Sequence, residues 1–170
     1  SKTTYFLYVS IKNNGLCSQQ TQRFWLILKM LLNVSYNDKT RTQKIDTAVG
    51  KPFSLKERWA LGGIGSPKLF ITETSMEIQN LLILDNNLNT CNIEIRPKGI
   101  IVRFRSLLET YGLIIPYYKL KIYKGDLAVY SIYKDHYFIK VKSDTKAIQN
   151  FFKKLLDHKA DNTPTSIEDL

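Results

Sequence analysis

The sequence predicts an α+β domain in which a bent antiparallel sheet, or partly open barrel, is closed by a C-terminal amphipathic helix. Short runs rich in β-branched and aromatic residues, separated by turn residues, extend from about residue 67 to residue 142. Apolar residues at helical spacing follow the last run. We expect this domain at residues 67–160, after a small N-terminal strand-helix segment at residues 1–66 and before a flexible tail at residues 161–170.

Size and composition agree with one folded domain. The chain has 170 residues, of which 44% are hydrophobic and 24% charged, close to the averages of globular proteins. The longest apolar run, at residues 24–34, contains Lys29 and is shorter than the roughly 20 residues that a membrane-spanning helix needs. The N-terminus shows no pattern of a secretory signal. We therefore expect a soluble cytoplasmic protein, with peripheral membrane association as an alternative.

The N-terminal segment carries weaker signals. Residues 3–11 are β-branched and aromatic, which favours a strand, and apolar spacing in residues 18–34 favours a helix. Residues 37–50 are polar and aperiodic, as in an exposed loop, and a short helix is predicted at residues 54–60. The glycine-rich run at residues 62–67 ends the segment, because glycine and proline interrupt regular structure.

The β-rich part begins with three predicted strands, at residues 69–72, 75–79 and 81–84, and a turn at residues 85–87. A hairpin follows, because two alternating runs flank Pro97-Lys98-Gly99. The strands of this hairpin and those after it are predicted at residues 92–96, 100–105, 111–115, 118–123, 128–133 and 137–142. The closing helix is predicted from the apolar stripe formed by Ala147, Ile148, Phe151, Phe152, Leu155 and Leu156.

Several of these segments together resemble bacterial pleckstrin-homology-like (PH-like) domains over residues 67–160. The resemblance is carried by NIEIRPKGIIVRFRS, LIIPYYKLKIYKG, VYSIYKDHYFIKVK and KAIQNFFKKLL. In such domains a glycine followed by an apolar strand precedes an Ile-Pro-Tyr segment, and an amphipathic helix closes a bent, seven-stranded sheet. Gly99-Ile100-Ile101 and Ile115-Pro116-Tyr117 match this pattern, whereas residues 1–66 have no counterpart. The resemblance implies a scaffold that binds lipids, peptides or other domains without chemistry of its own.

The charge of the chain favours anionic partners. The net charge is +10, and thirteen basic residues against four acidic ones lie between Arg96 and Lys154. Such a field attracts nucleic acid, anionic lipid or an acidic protein surface. A lysine-rich surface that serves only solubility is the other interpretation.

Strand alternation predicts where the basic residues gather. If the strands share one sheet, one face carries a basic aromatic surface. Its predicted members are Arg103, Arg105, Lys119, Lys121, Lys140, Lys142, Tyr117 and Tyr123. Such a surface would suit phosphate groups, with aromatic rings for stacking. The alternative is a solvated outer face on which lysines discourage edge pairing.

No catalytic or metal-binding residue is predicted. Asp85, Glu94 and Lys98 have the residue types of a metal-dependent nuclease, but a turn and an outward strand position explain the two carboxylates better. The histidines and cysteines show neither ligand nor nucleophile spacing. We therefore expect a non-catalytic binding module for a protein or an anionic ligand, without a cofactor. The alternative is a nucleic-acid-associated basic protein, and a nuclease ranks below both.

Overall fold

The computed structural model describes residues 31–36, 38–84, 89–125 and 128–162, to which the structural statements below refer. These residues form an eight-stranded antiparallel sheet with helices on it. In chain order the elements are β1 (Leu31–Asn33), α1 (Lys39–Val49), α2 (Leu55–Ala60), β2 (Leu69–Thr74), α3 (Met76–Leu82), β3 (Thr90–Arg96), β4 (Gly99–Ser106), β5 (Glu109–Pro116), a 3₁₀ turn (Tyr117–Lys119), β6 (Lys121–Lys124), β7 (Val129–Lys134), β8 (Tyr137–Lys142) and α4 (Lys146–Asn162).

The sheet bends at β2. The strand order is β1-β5-β4-β3-β2-β8-β7-β6, and β1 and β6 form its two edges. Leu69 and Phe70 pair with β3, whereas the rest of β2 pairs with β8, and the register shifts between Ile71 and Glu73. Such an irregularity bends a strand and increases its twist. Because β2 connects the two halves and the described edge strands do not pair with each other, the sheet is bent and unclosed, and the predicted fold class is confirmed.

The closing helix packs its apolar stripe into the concave side of the sheet. Its buried residues are Ile148, Phe151, Phe152 and Leu155. Phe152 lies parallel to the ring of Tyr130 on β7, with 4.0 Å between the ring centroids. The stripe is narrower than predicted, because Ala147 and Leu156 lie at its exposed margins. The prediction of a helix that seals the interior is nevertheless confirmed.

A second, smaller apolar layer covers the outer face of β4 and β5. Ile101 and Ile114 point away from the main core and are buried, as is Val49 at the end of α1. Gly99 lies where these elements meet, and a Cβ at this position would clash with the Ile115 carbonyl oxygen and lie 2.7 Å from Val49 Cγ1. Only glycine permits this approach, which explains the glycine in the Gly-apolar motif.

The prediction of an exposed loop at residues 37–50 is wrong, because this segment contains α1. The helix begins after Asp38, whose carboxylate accepts a hydrogen bond from the Thr40 amide at 2.9 Å. It ends at Gly50, which has φ of +86°. The helix has few apolar residues and buries only its last one, Val49, so the sequence shows no apolar stripe there.

Two predicted strands and the end of one predicted helix are also corrected. The predicted strands at residues 75–79 and 81–84 are replaced by α3, which buries Ile78 and Leu82, four residues apart on one face. A helix is predicted to extend to residue 34, but its last residues form the strand β1, in which Leu31 pairs with Leu113 of β5. The strand predicted at residues 3–11, the start of that helix, the turn at residues 85–87 and most of the predicted tail lie outside the described residues.

Residues 31–66 contribute to the same sheet as the predicted domain. They supply an edge strand and two helices, and Gly65 forms an isolated bridge to Glu94. None of the helices in the described ranges has both the length and the apolar composition needed to cross a bilayer.

Lys134 is an unusual member of the concave face. Tyr130, Ile132 and Lys134 alternate along β7 towards the core, and Lys134 is only 1% exposed. Burial lowers the pKa of its ammonium group to about 8, and the charge of Lys119 adds to this effect while that of Asp135 opposes it. Asp135 itself pairs with Lys119, at 3.4 Å. The buried ammonium group therefore destabilises the fold.

We expect Lys134→Met to stabilise the protein at neutral pH, by on the order of 3 kcal/mol for a pKa displaced from 10.5 to about 8. Below pH 8 both states are protonated and the penalty is complete. Between pH 8 and 10.5 only the unfolded state keeps the proton, so the stability of the wild type rises with pH. Urea unfolding at pH 7 and pH 9.5 should show that the difference in free energy of unfolding between the variant and the wild type is smaller at the higher pH. Lys121→Met, at an exposed residue, is the control. An advantage that is constant across this range would contradict the prediction.

Candidate functional site

The residues of the predicted basic aromatic surface are divided between the two halves of the sheet. Arg103 and Arg105 lie on β4, and two strands and the bend separate them from Lys140 and Lys142 on β8. Lys121 and Tyr123 lie on β6, which is separated from β8 by β7. The structure thus does not bring the predicted set together on one surface.

One predicted member is inside the protein. Tyr117 is 3% exposed, and its hydroxyl donates a hydrogen bond to the Arg96 carbonyl oxygen at 3.0 Å. Burial raises its pKa. The alternation that predicted an outward Tyr117 fails because the 3₁₀ turn Tyr117–Lys119 interrupts the extended chain, so that Tyr118 is exposed instead.

The other basic residues mostly pair with acidic neighbours. Lys140 lies 2.6 Å from Glu73, and Lys142 lies 3.7 Å from Asp144. Lys119 is the partner of Asp135, as described above. Across the outer face of β6, β7 and β8, three aromatic rings follow one another at 5.6–5.7 Å between centroids, and Lys140 lies over the last of them. These rings belong to Tyr123, Tyr133 and Phe138. This row keeps part of the predicted basic aromatic character in a single half of the sheet.

A concave site lies on the outer face of the other half. A cleft of about 470 Å³ runs beside β3 and β4, and a second one of about 290 Å³ continues it towards α1. The two clefts share Pro52, Arg96 and Arg103 in their lining. We call them together the arginine cleft, because the described residues lining them include Arg41, Arg58, Arg96 and Arg103.

Strand alternation positions the centre of the arginine cleft. Glu94 and Arg96 are two residues apart on β3 and so point to the same face, and Arg103 lies on the neighbouring strand opposite Asn92. One carboxylate oxygen of Glu94 lies 2.5 Å from Arg96 Nε, and the other lies 2.6 Å from Arg103 Nη1. Glu94 therefore holds two guanidinium groups side by side.

The two arginines differ in their access to solvent. The side chain of Arg96 is 8% exposed, donates to the Gly50 carbonyl oxygen at 3.4 Å and lies 3.7 Å from Asp46. The side chain of Arg103 is 43% exposed. Arg96 therefore belongs to the framework of the cleft, whereas the guanidinium group of Arg103 is accessible from solvent.

The lining of the cleft carries net positive charge. Four guanidinium groups line it with the two carboxylates of Asp46 and Glu94. The carboxylate of Asp38 pairs with Arg41 at 3.4 Å, so one positive charge remains when this pair is counted. Further hydrogen-bonding side chains at its walls are Ser35, Thr42, Ser66 and Asn92. Arginine offers several N–H donors in a planar fork that matches carboxylate and phosphate oxygens. The arrangement can therefore bind an anionic group.

The residues considered for nuclease chemistry do not form a metal site among the described residues. Glu94 is engaged by two arginines, and Asp85 lies outside the described ranges. In the described part of the chain, no three side chains of His, Cys, Asp or Glu gather as metal ligands would. His158 packs edge-on against Phe53, and Cys91 is buried, which raises the pKa of its thiol to about 12.

Strand alternation predicted Arg103 as a site residue but not the other three arginines of the cleft. The signal for Arg96 was present, because the predicted hairpin and strand alternation put Glu94, Arg96 and Arg103 on one face. Arg41 and Arg58 belong to helices whose position on the sheet no local pattern reveals. Comparison of the chain with models of protein families, with curated proteins and with solved structures found no match.

Proposed function

We propose that this chain is a non-catalytic binding module of the PH-like type, and that the arginine cleft binds an anionic group of its partner. The observation that carries the proposal is the bridge by which Glu94 holds Arg96 and Arg103 together at the wall of a concave site. Guanidinium groups fixed before binding lose little freedom when the anion arrives, so more of the interaction energy becomes affinity.

The order of the elements supports the PH-like part of the proposal. Seven strands, β2 to β8, form a sheet bent at β2, and the amphipathic helix α4 follows them. Gly99 of the glycine-apolar pattern begins β4, and Pro116 of the Ile-Pro-Tyr pattern ends β5. The two residues are paired across the two strands. β1 adds an eighth strand from the segment that has no counterpart in the resemblance.

The charged side chains of the cleft favour an anionic group over an apolar ligand. Arg96 and Arg103 flank Glu94, and Arg58, whose Nε donates to the Phe53 carbonyl oxygen at 2.9 Å, also lines the cleft. A carboxylate or phosphate placed near Arg103 would accept charge-assisted hydrogen bonds, which are about twice as strong as neutral ones. An acidic protein segment and a small phosphorylated ligand share this chemistry.

We expect Arg103→Gln to weaken the binding of inorganic pyrophosphate roughly tenfold or more, because a charge-assisted hydrogen bond contributes about 1.5–3 kcal/mol. Arg105→Gln is the matched control, since Arg105 is exposed on the same strand but does not line the cleft. Titration calorimetry at low salt, with backbone NMR shifts to place the site, makes the measurement.

Equal weakening by the two variants, or NMR shifts outside the cleft, would contradict the proposed site. A parallel titration with single-stranded oligonucleotide tests the nucleic-acid alternative. If oligonucleotide binding is steeply salt-dependent, and if all three variants, Arg103→Gln, Arg105→Gln and Lys142→Gln, reduce it equally, the nucleic-acid alternative is favoured instead.

A further inference from the structure

The helix α2 presents an apolar face that the fold does not use. Leu55 and Trp59 are four residues apart, hence on one side of the helix, and they are 81% and 91% exposed. No residue of α2 is buried. An indole that is almost wholly in water contributes little to folding, and together with Leu55 it forms an exposed apolar patch of the kind that marks contact sites.

The protein nevertheless holds α2 firmly. A six-residue helix does not form alone in water. Ser54 and Glu57 form a reciprocal capping box at its start, with the Ser54 amide donating to the Glu57 carboxylate at 2.7 Å. At its other end Lys154 of α4 donates to three carbonyl oxygens at 2.7–3.3 Å. These three carbonyl groups belong to Leu61, Gly62 and Gly63. Trp59 is therefore displayed from a structure that is ordered before any partner arrives.

Positive charge predominates in the stretch of chain that carries this face, and Lys56 lies beside Leu55 and Trp59. Lys51, Lys56 and Lys68 are exposed in the same stretch of chain, and Arg58 lies within the helix. Glu57 is the one acidic residue of the stretch from 51 to 68, and the capping box engages its carboxylate. The stretch thus carries +3 on a chain whose net charge is +10.

We propose that α2 is a contact site for an anionic lipid bilayer, in which Trp59 and Leu55 enter the headgroup region and Lys51 and Lys56 bind lipid phosphates. Tryptophan favours the membrane interface, and lysine extends its ammonium group to the headgroups from an apolar surface. Anionic lipid adds electrostatic attraction to the buried apolar area.

The size of the face argues for a bilayer over a protein partner. A buried tryptophan covers about 150–250 Å², and a single leucine beside it leaves the patch well short of the roughly 800 Å² that each partner contributes to a stable protein interface. A bilayer requires no complementary pocket and accepts a small convex patch. The inference does not depend on a ligand in the arginine cleft.

The first test follows the fluorescence of the Trp59 indole in the 170-residue chain. The sequence has two tryptophans, so Trp25→Phe leaves Trp59 as the single indole. On mixed phosphatidylcholine and phosphatidylserine vesicles its emission should shift to shorter wavelength, and brominated lipids should quench it. Emission that is neither shifted nor quenched would overturn the proposal. An equal shift on vesicles of pure phosphatidylcholine and on the mixed vesicles would also overturn it, because charge would then have no role.

The second test measures vesicle binding by flotation. Leu55→Ser combined with Trp59→Ser should reduce binding to the mixed vesicles roughly tenfold or more. Leu108→Ser, at a 90% exposed residue in the turn between β4 and β5, is the matched control and should leave binding unchanged. Equal losses in the two variants would overturn the assignment to α2. Light scattering of both proteins tests a third occupant of the face. If the wild type is a dimer and the double variant is a monomer, the face binds a second copy of the chain instead.

Discussion

Phe152→Ala is expected to lower the free energy of unfolding by about 3–5 kcal/mol, the range for removing a fully buried aromatic ring. The side chain is fully buried and contacts two other rings. Tyr130 is parallel to it at 4.0 Å, and Phe151 meets it edge-on at 5.9 Å between centroids. Truncation would leave a cavity between α4 and the sheet, and rigid strands cannot collapse into it.

Urea unfolding followed by circular dichroism measures this loss. Leu156→Ala on the same helix is the control, because Leu156 is 40% exposed and should cost about 1 kcal/mol or less. Similar losses for the two variants would mean that α4 does not seal the interior as described.

Glu94→Ala should cost about 3 kcal/mol of stability and also disorder the arginine cleft. The carboxylate is the close partner of Arg96, which is only 8% exposed, and removing one partner of a buried ion pair leaves an uncompensated charge. Asp46, 3.7 Å from Arg96, keeps the loss at the lower end of the range for buried pairs. Because the same carboxylate orients Arg103, anion binding should weaken as well.

Two further variants separate buried charge from a general surface effect. Glu73→Ala removes the exposed ion pair with Lys140 and should cost no more than roughly a third of the effect of Glu94→Ala, because surface ion pairs contribute little. Adding Arg96→Met to Glu94→Ala should restore part of the stability by removing the unpaired guanidinium. A double variant less stable than Glu94→Ala would show that Arg96 contributes mainly through packing.

The strands and the last helix were predictable because their signals are local. Alternation in the hairpin of β3 and β4 gives both the strand type and the face of each residue. The turn that fixes which residues pair is Pro97-Lys98, one residue shorter than predicted, because Gly99 already pairs with Arg96. The stripe of α4 likewise records the one face that the helix buries. Each pattern arises because a single element is half buried.

Local patterns mispredict the segments in which burial does not follow a regular period. α3 has apolar residues on several sides, so residues 75–84 resemble short strands, although Ile78 and Leu82 face the core as a helix. α1 buries almost nothing, so its sequence resembles a loop. In the 3₁₀ turn before β6 the backbone leaves the extended conformation, and Tyr117 turns inward against the predicted alternation.

By itself the sequence determined the α+β class, the central hairpin and the closing helix, because hydrophobic periodicity reports how each segment meets a core. Only the tertiary structure decided that β1 joins β5, that Arg41 and Arg58 approach Arg96 and Arg103, and that the predicted basic surface is divided between two halves of the sheet. These arrangements depend on contacts between residues far apart in the chain. The energy of such contacts is set by how whole elements pack together, and it produces no periodic pattern in the sequence of any single element.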